Sequence, residues 1–121
     1  MPETTREIVR LLKAAKNALT QSDHPDDNAL SEAGAALEET VAELPQDVPG
    51  IGSLLSLALE ALQGAYIGTI DRDHAVASAT RAITAAAAQI DAPGAEAAAE
   101  VDAAGAALWA LLQRDPELSP F

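Results

Sequence analysis

Cysteine is absent from the chain, aromatic residues number three, and only two lysines, Lys13 and Lys16, occur among 121 residues. Without cysteine there is no disulfide framework, no thiolate metal centre and no cysteine nucleophile, which fits a reducing compartment. With only Tyr66, Trp109 and Phe121 as aromatics, the core has to be built from aliphatic side chains and alanine. Basic residues are scarce as well: 7 against 19 acidic ones, for a formal charge of −12. Such a balance repels phosphate backbones and anionic lipid, so binding of nucleic acid through a basic surface is disfavoured, whereas a basic protein partner is permitted. Genome composition or salt adaptation accounts for the acidity as readily as function does. The first ten residues carry Glu3, Arg6, Glu7 and Arg10 before any apolar run. This opening does not read as a secretory leader, and the expected location is cytoplasmic.

Long apolar runs are also missing, with one near-exception. From Val48 to Ile70 the only charged side chain is Glu60. A membrane span over this stretch would put Glu60 near the bilayer centre at a cost of about 3 kcal/mol, and serines, glycines and Gln63 dilute its apolarity further. It reads instead as a core helix, about 52–66, with Leu54, Leu55, Ala58, Leu62 and Ala65 on one side and Leu57, Leu59 and Ala61 around the flanks. Ser53, Ser56, Glu60, Gln63 and Gly64 form the one narrow polar strip. A helix so little suited to water must be contacted from several directions, as the central member of a bundle is.

The flanking segments are amphipathic. A helix from about Thr5 to Thr20 is predicted, with Thr4 and Glu7 as a capping box and Ile8, Leu11, Leu12, Ala15 and Leu19 on one face. Its other face holds Arg6, Arg10, Lys13 and Asn17. A second helix has Pro25, Asp26 and Asp27 in its opening turn, buries Leu30, Ala33, Leu37, Val41 and Leu44, and stops at Pro45. A fourth, capped by Asp71, runs to about Ile90 with Val76, Ala79, Ile83, Ala86, Ala87 and Ile90 inward and His74, Ser78, Arg81, Ala85 and Gln89 outward. A fifth, about 94–113, buries Ala97, Val101, Ala104, Leu108, Leu111 and Leu112. Residues 115–121, with two prolines, read as an extended tail. The fold class is all-α: one antiparallel bundle of four to five helices in a single domain, 1–121, sized to fold on one core. Alanine on the outward faces, at Ala85, Ala88, Ala103 and Ala110, suits a subunit contact.

No constellation points to catalysis. Ser78 and His74 have no strand–turn–helix elbow or glycine-rich loop to position a nucleophile, and the many carboxylates lie on solvent faces where burial cannot tune them. Asp71 and His74 have the spacing of one carboxylate–histidine pair, but a metal bundle needs two such pairs and further inward carboxylates. No cofactor is implied. The expected role is a non-enzymatic protein–protein interaction module, an adaptor, assembly factor or small scaffold that forms a homo-oligomer. Candidate partner-binding residues are an acidic ridge, Glu32, Glu38, Glu39, Glu43 and Asp47, the basic stripe Arg6, Arg10 and Lys13, and Trp109. The alternative is an acidic inhibitor or immunity-type protein that neutralises a basic partner through the ridge; a metal-binding or lipid-contacting bundle is more remote. Tyr66 and Trp109, at the edges of buried arcs, are read first as half-buried packing residues and second as interface anchors.

Overall fold

In the computed structural model the described residues are 3–21, 24–44 and 50–113, with side chains from residue 6 onward. Five amphipathic stretches become five helices: α1 Glu3–Thr20, α2 Asp27–Glu43, α3 Ile51–Ile67, α4 Arg72–Asp91 and α5 Ala95–Gln113. Consecutive helices are joined by short connections, which reverse the chain each time. α1 packs on α2 and α4, and α2 on α1 and α3. α3 meets α2, α4 and α5, and α4 meets α1, α3 and α5. The first four helices therefore close into a ring, and α5 lies across the side formed by α3 and α4.

The core is aliphatic. Ile8, Leu12 and Leu19 of α1, Leu30 and Leu37 of α2, Ile83 of α4 and Leu108 of α5 are buried in it. α3 buries eight residues, Ile51, Leu54, Leu55, Ala58, Ala61, Leu62, Gly64 and Ala65, and its two Leu–Ala rows face three neighbours at once. This is the enclosure expected of the near-uncharged stretch. α4 is a second central element. Its buried residues are Ala75, Ala79, Ala82, Ile83, Ala85 and Ala86. Ala85, expected to look outward, is thus part of the core, because α5 covers that side of α4.

The helix ends show how local chemistry sets boundaries. Asp26 is the N-cap of α2, its Oδ1 accepting from the Ala29 N–H at 3.0 Å. Pro25 lies before the cap and is buried, rather than within the first turn as the sequence suggested. Asp71 caps α4 as expected, accepting from the His74 N–H at 3.0 Å. α1 opens at Glu3, so Thr4 lies within the helix and not at a cap, and the Thr4 side chain falls outside the described residues. α3 ends at Gly68, whose φ of 90° is open to glycine at little cost. The chain then folds back so that the Gly64 carbonyl accepts from the N–H groups of Gly68, Thr69 and Ile70 at 3.0, 2.9 and 3.3 Å. Gly64 was expected on the polar strip of α3. It is buried instead, because Ile70 returns to cover it: a Cβ there would meet Ile70 Cγ1 at 2.8 Å.

Candidate functional site

A groove of about 520 Å³ lies between α2 and α3. Gly34 of α2 lines it, and an added Cβ there would stand 3.4 Å from Leu59 Cδ1, an ordinary contact. Leu30, Leu59 and Leu62 form an apolar floor, Ser31, Glu38 and Gln63 line the polar side, and Tyr66 and Ile67 stand at the end of α3. Tyr66 is 51% exposed and Ile67 72% exposed. Burying one large apolar side chain is worth about 1.5–3 kcal/mol, so a partner that covered Ile67 would gain much of that. These two residues, together with Trp109 at 58% exposure, are the only large hydrophobic side chains standing in water among the described residues. Tyr66 and Trp109 stand about half covered at the edges of the buried arcs, while the core itself closes with aliphatic side chains.

The acidic ridge divides in two. Glu32, Glu39 and Glu43 are exposed on the side of α2 away from Leu30 and Leu37, whereas Glu38 turns to the groove. Asp47 lies outside the described residues. Arg6, Arg10 and Lys13 are exposed along α1 beside Val9, with Asp91 from the end of α4 nearby. Arg10 pairs with Glu7 one turn away, while Arg6 and Lys13 make no ion pair among the described residues. Structure therefore keeps the ridge and the basic stripe on separate helices and brings only Glu38 to an apolar surface.

The two histidines are at one end of the molecule. His74 Nδ1 is 3.2 Å from Asp71 Oδ2, and His24 Nδ1 is 3.9 Å from Asp73 Oδ1. Nearby, Arg72 donates to the Pro25 carbonyl at 3.2 Å and to Asp27 Oδ1 at 2.6 Å, which ties the start of α4 to the start of α2. No group of three or more His, Cys, Asp or Glu side chains arranged to hold a metal ion occurs among the described residues. None of their helices is long and apolar enough to cross a membrane. Comparison with protein-family models, with curated proteins and with solved structures finds no match.

On the far side of the bundle, Arg81 Nε donates to Glu100 Oε1 at 2.7 Å and links α4 to α5. The hydrogen bond, with the charge attraction behind it, holds the Glu100 carboxyl below the ordinary carboxylate range and raises the Arg81 guanidinium. Both side chains are about half exposed.

Sequence reasoning missed the groove and Ile67. Hydropathy marks Ile67 as one more apolar residue at a helix end. Only the position of α2 shows that nothing covers it.

Proposed function

We propose that this chain is a non-enzymatic protein-interaction module, an adaptor or small scaffold, whose α2–α3 groove takes up an amphipathic helical segment from a basic partner. The observation that carries the reading is the pair Tyr66 and Ile67, exposed at the end of an apolar groove. An amphipathic helix laid in such a groove buries anchors at spacings of three and four residues. Glu38 on the groove and the formal charge of −12 favour a guest with lysine or arginine on its flank.

The test uses a synthetic helical peptide with leucines at i, i+4 and i+7 and lysines elsewhere. Added to the isotope-labelled protein, it is expected to shift the amide resonances of Gly34, Glu38, Gln63 and Ile67 together, and Ile67→Lys is expected to abolish those shifts. Shifts scattered over the whole acidic surface, or retained in Ile67→Lys, would show charge attraction without docking.

A second reading, the acidic inhibitor or immunity-type protein, draws support from Glu32, Glu39 and Glu43, which are exposed and carry no ion pair among the described residues. It separates from the first by its indifference to Ile67.

A further inference from the structure

The large hydrophobic side chains left in water all stand on α3 and α5, which are neighbours. These two helices also hold little charge. On the exposed face of α3 the only charged residue is Glu60, among Ser53, Ser56, Gln63, Tyr66 and Ile67. From Ala103 to Gln113, α5 has no charged residue, and its exposed side chains there are Ala106, Trp109, Ala110 and Gln113. α1, α2, α4 and the first half of α5 each expose three or more charged side chains. In a molecule of formal charge −12, the outer side of α3 and the second half of α5 is therefore the nearly neutral one among the described residues.

Trp109 lies where the two helices border each other. Gly105, one turn earlier on the same stripe of α5, faces α3: a Cβ there would stand 3.7 Å from Leu54 Cδ1. Glu100 turns the other way, to Arg81 of α4. Trp109 thus stands on the α3 side of α5, with exposed Ala106 and Ala110 beside it. The face carries both a projecting side chain and small ones that leave room for it. A two-fold axis lying in this face and across the helices brings two copies of α5 together in opposite directions. Centred between Ala106 and Trp109, the crossing lays each Trp109 on the other copy's Ala106. It also sets Asp102 opposite Gln113, so no acid of one α5 meets an acid of the other.

We infer that this face binds a second copy of the chain, in a two-fold dimer with Trp109 at its centre. Charge selects the occupant. A basic partner gains most at the acidic faces, whereas two chains of formal charge −12 repel least where their neutral faces meet. Area sets the strength. Laid flat, about 25 Å of α3 and about 16 Å of α5, at about 10 Å per helix, give about 400 Å² per copy. Side-chain relief adds to this, but a standard interface takes about 800 Å² from each partner, so the dimer is a weak, reversible one. Long-range repulsion opposes it, and salt strengthens it by shortening the Debye length from about 30 Å at 0.01 M to about 3 Å at 1 M. Neither Trp109 nor Ala106 lines the α2–α3 groove, so the dimer does not depend on what the groove takes up.

The experiment follows the full chain from micromolar to millimolar concentration by sedimentation equilibrium and by the fluorescence of Trp109, the only tryptophan. Circular dichroism confirms that each variant is folded. With rising concentration the wild type is expected to approach the dimer mass, while Trp109 emission moves to the blue and acrylamide quenches it less. Both changes are expected to grow with salt. Trp109→Ala and Ala106→Glu are each expected to weaken self-association by at least about tenfold, as the loss of a central anchor or a charge set against it does. In Ala106→Glu the tryptophan emission is expected to be independent of concentration. Wild-type emission and quenching that do not change with concentration, association that weakens as salt rises, or folded variants that self-associate like the wild type would each overturn the interface. A peptide that fails to enter the groove alters none of these readings, so the two proposals fail separately.

Discussion

Gly64 carries a constraint that its neighbours in α3 do not. Three N–H groups converge on its carbonyl, and Ile70 covers the place where a side chain would begin. Replacing it with alanine improves helix propensity by about 1 kcal/mol but forces Ile70 out of contact. Overpacking of this kind costs about 1–3 kcal/mol, so Gly64→Ala is expected to be destabilising on balance. Urea unfolding measures this directly, and a midpoint equal to or above that of the wild type would show that Ile70 moves aside without loss. Thr40 is a different residue-scale case. It is fully buried on α2, where its hydroxyl donates to the Ala36 carbonyl at 2.7 Å. A threonine closes its own hydrogen bond one turn back and then packs as a small apolar group.

At the scale of the element, α5 is the least anchored helix. Its buried residues are Ala104, Leu108 and Leu112, none before its midpoint, while Ala95, Glu96, Ala98, Ala99 and Glu100 are exposed. Ala97, Val101 and Leu111, expected in the core, are only partly covered. Alanine buries little area, and α5 has neighbours only on α3 and α4. Besides the partly covered Ala97 and Val101, the Arg81–Glu100 pair is the ion pair that joins its first half to α4. Glu100 is held below the ordinary carboxylate range by the Arg81 hydrogen bond first and its charge second. A depressed acid stabilises the folded state above its unfolded pKa, and that contribution fades as the pH falls through the lowered folded value. Glu100→Gln is accordingly expected to speed amide hydrogen exchange in residues 95–103 near neutral pH. The difference from wild type should shrink on acidification through and below the usual carboxylate range. Equal exchange in the two proteins at neutral pH would show that the pair tethers nothing.

Across the whole molecule, the acidic excess and the alanine-rich core act together. Small side chains limit the apolar area that holds the helices, while a formal charge of −12 pushes them apart. Raising salt from about 0.01 M to about 1 M shortens the Debye length from about 30 to about 3 Å. For dilute, monomeric protein the melting temperature is expected to rise over that range. A melting temperature that falls or stays constant would place the charges too far apart to matter. Truncation at the centre acts in the opposite sense: Leu55→Ala is expected to cost about 2–5 kcal/mol through the cavity it leaves, read as a lower urea midpoint.

Helix number, approximate boundaries, the cap at Asp71 and the enclosure of α3 could all be read from the chain, because periodicity, capping chemistry and the near absence of charge are properties of neighbouring residues. The central place of α4, the burial of Gly64 and Ala85 and the exposure of Ile67 could not. Alanine and glycine look alike on either side of a helix in hydropathy, and which side is covered depends on where a distant helix lands. The interaction surfaces belong to this second group, since each is made by two helices whose relation exists only after folding.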